Sequence, residues 1–310
     1  TVVLTSEPEK VVKAADETVR ISVKNPADVL LKIRRFFRDC DVVHVPINVY
    51  QVCFVRLGYY GPLVAGIGPG LQLQWHHVRR GKLARIDAKI STHEHQRGLA
   101  KSDVENFICM AAIDTEIFHS YPDREKKRMR NLMDIPEKDD VLLYVGSVTE
   151  EQGAALVDEM SREHATEDTT TVVVGDGDLR ERVESNENIR YEGFVANEKL
   201  PDYYNIADIT LGPRKMDSTS NVGLESIACG TPFISTAEGA IKKLFVFKEN
   251  IYVWAERTPE DVWETAQRLL QDEERYQEQV EKGLTAIKEK PVTLNNAIKT
   301  HLDAYESVTE

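Results

Sequence analysis

The chain has 310 residues, of which 41% are hydrophobic and 29% charged, and its formal net charge is −13. This is the composition of an ordinary globular protein with room for two domains, each with its own core. The acidic balance excludes a nucleic-acid binder that relies on a basic surface, since phosphates need a cationic footprint.

The apolar runs, such as 141–145 and 171–174, are far too short to span a bilayer. No secretory apolar segment opens the chain, so a cytoplasmic protein is expected. Cys40, Cys53, Cys109 and Cys229 form no C-x-x-C pair, which argues against a disulfide framework or a zinc site. His93-Glu94-His95 has no third ligand nearby in sequence and reads as a polar loop or helix start. No metal and no cofactor is expected.

In chain order, a helix over 27–38 leads to a strand over 42–45, and further strands follow at 62–65, 84–90 and 106–110. Residues 120–138, with Pro122, a basic run over 124–130 and Pro136, read as a linker. A second strand–helix series starts at 141–145, which ends at Gly146. A helix over 152–163 comes next, then a strand over 169–174 ending in Gly175-Asp176-Gly177, a helix over 179–184 and a strand over 188–191 ending at Gly193. Strands at 207–211, 231–235 and 250–254 complete it, and the helices 259–272, 274–288 and 294–307 end the chain. Such alternation predicts parallel sheets with helices on both faces and ligands at the carboxyl ends of the strands, where the glycine turns lie.

The densest chemical signal is PRKMDSTSNVGLESIACGTPFIS over 213–235, with Asp217 and Glu225 separated by seven residues. Ser218, Thr219, Ser220 and Asn221 are good helix N-caps. A helix that starts there aims free backbone N–H groups and its positive end at an anion such as a diphosphate. A carboxylate one turn in can accept both hydroxyls of a ribose diol. Two solvated acids beside a capped helix would also fit these residues taken alone.

The wider pattern resembles the donor-site motif of family 4 retaining glycosyltransferases of the GT-B fold, in which two acids bracket seven residues and Ala-x-Gly-Thr-Pro leads into a strand. Here the match is Asp217, seven residues, then Glu225-Ser226-Ile227-Ala228-Cys229-Gly230-Thr231-Pro232. LLYVGSVTEEQG (142–153), VVVGDGDL (172–179), IRYEGFVANEKLPDYYNIADITLGP (189–213), DVVHVP (41–46) and IDTEIFHSYP (113–122) fit the same family, so the likeness covers most of 41–310.

The resemblance implies an α/β chain of two Rossmann-like doubly wound lobes that face each other across a cleft, with the C-terminal helix returning to the N-lobe. The lobes are expected at 1–120 (acceptor side) and 139–290 (nucleotide-sugar side), with 291–310 as the returning helix. It implies transfer of a hexose from a nucleotide-diphosphate sugar, UDP- or GDP-linked, to a glycan or lipid-linked acceptor, with retention and without metal. Glu225 would hold the donor ribose and Asp217 the sugar hydroxyls. Backbone amides at Ser220, Asn221 and Val222 and at Gly146 and Ser147 would cradle the phosphates. Gly175 would form the second turn, and the backbone at Phe194 and Val195 would meet the base. On the acceptor side the glycine loop is Gly68-Pro69-Gly70, with His76 and His77 nearby.

Four departures bear on this. The cations that normally follow the first glycine turn are replaced by Ser147 and Gln152, and Arg214 and Lys215, just before Asp217, are expected to supply positive charge instead. The first acid is Asp rather than Glu. The glycine loop VAGIGPG (64–70) lacks the usual His. Only 40 residues precede DVVHVP, so the N-lobe is unusually compact or begins within a longer chain. The basic run over 76–85 suits an anionic acceptor or a peripheral contact with the cytoplasmic membrane face. With two cations missing, a non-catalytic nucleotide-sugar binder or partner subunit is the alternative.

Overall fold

Short apolar runs make the two larger parallel sheets described in this chain. The computed structural model describes residues 2–5, 17–20, 25–45, 55–67, 86–91, 104–109, 111–214, 221–236 and 251–310. The chain divides into two units, Thr1–Met110 with Asn296–Glu310, and Ala111–Asn295.

In the first unit, β1 (Val2–Thr5) and β2 (Glu17–Arg20) pair in parallel as a separate two-stranded sheet. The main sheet holds β3 (Val43–Val45), β4 (Leu63–Ile67), β5 (Ala88–Ser91) and β6 (Glu105–Ile108), all parallel and in sequence order. Helix α1 (Pro26–Phe36) starts where the Asn25 side chain accepts from the Asp28 amide, with Pro26 in the first turn. Its Ile33 joins Val43, Val45, Leu63 and Ala65 on one side of the sheet. The alternate residues Val64, Ala88 and Ile90 face the other way, as the two-residue period of a strand requires. They are covered there by Ala304, with Tyr305 and Val308 beside them. These three residues belong to the last helix of the chain, which therefore returns to the N-terminal unit.

The second unit contains α2 (Asp123–Leu132), β7 (Asp140–Val145), α3 (Ala154–His164), β8 (Thr169–Val174), α4 (Arg180–Glu184) and β9 (Ile189–Gly193). It continues with α5 (Leu200–Ile206), β10 (Ile209–Gly212), α6 (Asn221–Ala228), β11 (Phe233–Ser235), β12 (Val253–Trp254), α7 (Pro259–Leu270) and α8 (Glu273–Glu289). The last helix of the chain is α9 (Leu294–Thr309). The sheet order is β12-β11-β10-β7-β8-β9, all parallel. The first strand of the unit thus lies between the second and the fourth, which is the doubly wound arrangement whose order reverses between β7 and β10.

Two sequence expectations change. Residues 120–138 are not a bare linker, because α2 forms within them. None of its residues is buried, so no apolar stripe announces it. What holds it is Arg130, whose guanidinium donates to the carbonyls of Ile206 and Asp139 and to the Asp208 carboxylate at 2.7 Å. The first division of the chain falls after Met110 and not at 120. Phe118 stacks edge-on against Tyr204, and Asn205 bonds both the His119 carbonyl and the Tyr121 amide, which fixes this stretch to the second unit.

His44, between two core valines on β3, faces α9. Its Nδ1 lies 2.9 Å from the Tyr305 hydroxyl, the His301 ring is 5.6 Å away, and its Nε2 is buried with no hydrogen-bond partner among the described residues. Burial, and secondarily the charge of His301, lowers its pKa to about 4 from 6.5. The unfolded chain therefore takes up a proton that the folded one refuses, and stability falls as pH drops from about 6.5 towards 4 by on the order of 2–3 kcal/mol. Thermal melts at pH 7 and pH 4.5 should show this loss, and His44→Gln should shrink the difference between the two. An equal acid loss in the variant would refute the assignment.

Candidate functional site

In a doubly wound sheet the ligand crevice opens outside the carboxyl ends of the strands at the point of reversal. Here that point is the end of β7 at Gly146 and the end of β10 at Gly212, followed by Pro213 and Arg214. The turns are joined through their backbones. The Gly146 amide donates to the Val174 carbonyl, the Gly175 amide to Gly193, and the Val148 amide to Asp176. The Tyr191 hydroxyl donates to the Gly175 carbonyl at 2.8 Å, tying β9 to the β8 turn.

Two glycines make this crowding possible. Gly175 has φ +136°, and a Cβ there would sit 1.8 Å from the Gly146 carbonyl oxygen. Gly153 has φ +88° and opens α3, and a Cβ there would sit 2.0 Å from the Pro213 carbonyl oxygen. No side chain fits at either place. The β7 turn, the β8 turn, the start of α3 and the loop after β10 are therefore drawn close together, backbone against backbone.

Arg214 enters this patch on a held backbone. The Arg257 Nε donates to the Pro213 carbonyl, and the Thr236 hydroxyl donates to the Arg214 carbonyl. The Arg214 guanidinium lies close enough to Tyr144 to oppose the burial that pushes that phenol's pKa up, and the Tyr144 hydroxyl donates to the Ser147 carbonyl at 2.7 Å. The charge of Arg214 is thus beside the β7 turn. Its Nε is buried and has no hydrogen-bond partner among the described residues, whereas such a group normally finds one.

Glu225 lies on α6, which begins at Asn221 and Val222 beyond the end of β10. It is half-buried, and one oxygen, Oε2, accepts a hydrogen bond of 2.9 Å from the Tyr204 hydroxyl. Burial raises the Glu225 pKa and the Tyr204 bond works against that rise.

The predicted residues fall into three groups. Gly146, Ser147, Gly175, Arg214, Asn221, Val222 and Glu225 lie on loops and a helix start that follow β7, β8 and β10. Of the pair expected to cradle phosphates, Gly146 has its amide bonded to the Val174 carbonyl, and Ser147 beside it is exposed. Phe194, 81% exposed, and half-buried Val195 follow the end of β9, two strands away from β7. Lys215, Asp217, Ser220, Gly68, Gly70, His76 and His77 lie outside the described residues, as do His93-Glu94-His95 and the basic run over 76–85.

Sequence reasoning missed Tyr204 and Tyr144. Both are ordinary aromatic residues on buried elements, and no spacing distinguishes a tyrosine whose hydroxyl meets a site residue from one that only fills the core.

Residues 139–272 match the family model described as glycosyl transferases group 1. The chain is similar to the lipopolysaccharide core biosynthesis mannosyltransferase LpsB of Rhizobium meliloti, 26% identical over 223 residues, which are 67% of this chain and 62% of that one. It is also similar to the glycosyltransferase MJ1607 of Methanocaldococcus jannaschii, 25% identical over 157 residues, 48% of this chain and 40% of the other. The chain therefore matches between 40% and 62% of the length of these relatives. Among solved structures, HepE of Anabaena in complex with UDP-glucose superposes with a TM-score of 0.73 at 11% identity, covering 93% of this chain and 85% of that one. The likeness in fold extends across both units.

Gly175→Ala is expected to cost about 2 kcal/mol or more in stability, because an alanine must both adopt a disfavoured φ and displace the Gly146 carbonyl. Chemical denaturation of the variant measures this directly, and a loss below about 0.5 kcal/mol would show that the two turns need not touch.

Proposed function

We propose that this chain, which belongs to the family 4-type glycosyltransferases of the GT-B fold, moves a hexosyl group from a nucleotide-diphosphate sugar to a glycan or lipid-linked acceptor, with retention and without metal. The observation that carries the proposal is that Arg214, whose buried Nε has no hydrogen-bond partner among the described residues, and α6, which bears the Glu225 carboxylate, both follow β10 at the reversal point of one sheet. A nucleoside diphosphate has a matching layout: an anionic middle for Arg214 and the first amides of α6, and a ribose diol for Glu225. That HepE was solved with UDP-glucose makes UDP-sugars the first donors to try.

In the proposed reaction the acceptor oxygen bonds to the anomeric carbon on the face from which the diphosphate departs. The carbon–oxygen bond to the diphosphate breaks, and the acceptor proton passes to a departing phosphate oxygen. The leaving group gains negative charge. A helix N-terminus offers only about half an elementary charge, so Arg214, with Lys215 before Asp217, supplies the remainder. Asp217 would hold the sugar hydroxyls, and Phe194-Val195 would meet the base. The acceptor would be held by the N-terminal unit through Gly68, Gly70, His76 and His77, with 76–85 meeting an anionic acceptor or the cytoplasmic membrane face. Among the described residues no helix is long and apolar enough to cross a membrane.

Ser147 and Gln152 bear no charge, and this favours a second reading, a binder of nucleotide sugars that does not turn over. A thermal-shift screen with UDP, GDP, ADP and their sugars should raise the melting temperature for one nucleotide by mass action, and a chain that responds to none of them would refute both readings. With that donor, Glu225→Ala should weaken binding by about 1.5–3 kcal/mol, as for a hydrogen bond to a charged group, and an unchanged affinity would remove Glu225 from the site. At saturating donor, Arg214→Ala should slow transfer at least about tenfold, equivalent to about 1.4 kcal/mol. If both Arg214→Ala and Lys215→Ala leave the rate intact, the replacement of the missing cations is refuted, whereas no turnover in the native chain despite tight donor binding would favour the binder.

A further inference from the structure

Tyr204 sits on α5 with no exposed surface, its ring packed edge-on against Phe118. A tyrosine hydroxyl in such a place must find an acceptor, because leaving it unbonded costs about 1–3 kcal/mol. Its acceptor is Oε2 of Glu225, at 2.9 Å. We infer that Tyr204 is a positioning residue: it holds the Glu225 carboxylate in one rotamer and in its ionised form, so that the carboxylate reads both hydroxyls of the donor ribose. This rests on the reading of Glu225 as the ribose-binding acid.

Three features of the structure support it. Tyr204 itself cannot move. Phe118 packs edge-on against its ring with centroids 6.0 Å apart. Its carbonyl accepts from the Thr231 hydroxyl at 2.6 Å, and that residue's own carbonyl accepts from the Ser226 hydroxyl, one residue from Glu225 on α6. The neighbour Asn205 is bonded on both sides of Ser120, to the His119 carbonyl and the Tyr121 amide. The hydroxyl is therefore a fixed point from which α5 reaches α6.

The second feature is stoichiometry. A carboxylate offers four lone-pair positions on two oxygens. Among the described residues one is taken, by Tyr204, which leaves Oε1 and half of Oε2, enough for two hydroxyls of a vicinal diol.

The third is charge. Burial drives Glu225 towards its neutral form, and a neutral carboxyl is a poorer acceptor for a diol. A donor hydrogen bond favours the ionised form, and the Tyr204 phenol, itself held well above its ordinary pKa by burial and by Glu225, remains a proton donor throughout the physiological range. With the bond in place Glu225 stays ionised to lower pH. Without it the carboxyl takes up a proton at a higher pH, and the part of nucleotide affinity that depends on the carboxylate is lost there as pH falls.

The test uses Tyr204→Phe in the full chain, with whichever of UDP, GDP and ADP binds the native chain most tightly, together with its 2′-deoxy counterpart. The native chain should prefer the ribonucleotide over the deoxynucleotide by about tenfold, the scale of one hydrogen bond to a charged group. Tyr204→Phe should cut that preference several-fold, and the acid limb of its pH–affinity profile should move to higher pH. On a Glu225→Ala background the same change should have no further effect. A purely structural role for Tyr204 would lower the melting temperature while leaving both the deoxy preference and the acid limb in place, and that outcome overturns the inference. So would an effect of Tyr204→Phe that persists undiminished in Glu225→Ala. Should Tyr204→Phe fail to fold, Glu225→Asp serves in its place. It keeps the charge but withdraws the carboxylate from the Tyr204 hydroxyl, and retention of the full deoxy preference would equally overturn the inference. Native affinity that Glu225→Ala leaves unchanged is the separate failure of the ribose assignment itself.

Discussion

Strand β7 pairs with β8 on one side and β10 on the other, and from this single arrangement the geometry of the candidate site follows. Because the chain leaves β7 in one direction and comes back to its opposite edge only after β9, the two crossovers lie on opposite faces of the sheet and their loops part at its carboxyl end. That gap would remain shallow if the turns stood apart. They do not, because Gly175 lets the β8 turn rest on the Gly146 carbonyl and Gly153 lets α3 start against Pro213. Packing of backbone on backbone, rather than any side chain, sets the floor on which Arg214 and Glu225 stand.

On that floor the electrostatics are those of groups pulled partly out of water. Glu225 is held by two opposed effects, burial that favours the neutral acid and a tyrosine hydroxyl that favours the anion. The same hydroxyl would be costly to bury unbonded, so each group supplies what the other lacks. Structural ion pairs elsewhere in the unit follow another logic. Asp158, almost fully buried, is bonded by Arg162, Arg182 and Asn186 at once, and its pKa is held low in spite of burial that acts the other way. Two of these donors meet Oδ1 of Asp158 and one meets Oδ2. Glu225 has a single protein donor among the described residues, which is the difference between a carboxylate built into a fold and one kept for something else.

Much of this was legible in the sequence. The alternation of β-branched runs with amphipathic segments gives the parallel sheets, and the strand at 169–174 is found at those residues in the structure. The glycine turns at 146 and 175 follow from strand ends, and the acid motif from the spacing of Asp217 and Glu225. What was not legible has a common physical cause. Helix α2 carries no buried residue and is fixed through Arg130 to Ile206, Asp139 and Asp208, contacts up to 78 residues apart in sequence that no local period records. The attachment of 111–121 to the second unit depends likewise on Asn205, more than 80 residues on. Tyr204 could not be told from Tyr203 beside it, although one is buried under Phe118 and the other bonds Glu192 at the surface. Long-range polar contacts choose among side chains that look alike in a string of letters.

Arg214 brings these threads together. A buried guanidinium nitrogen without a partner lacks about 1–3 kcal/mol relative to a bonded one, and the Arg214 Nε has none among the described residues. Its backbone, by contrast, is held twice, through Pro213 and through its own carbonyl. A residue fixed at the main chain, with its charge near the β7 turn and a donor unbonded among the described residues, fits the proposed binding of an anion at that turn. The turn has lost the cations that usually stand there, since Ser147 and Gln152 are uncharged. Under the proposed function, Arg214 would take the place of those cations, because the field at a bound diphosphate would depend on the position of the positive charge and not on the strand that carries it.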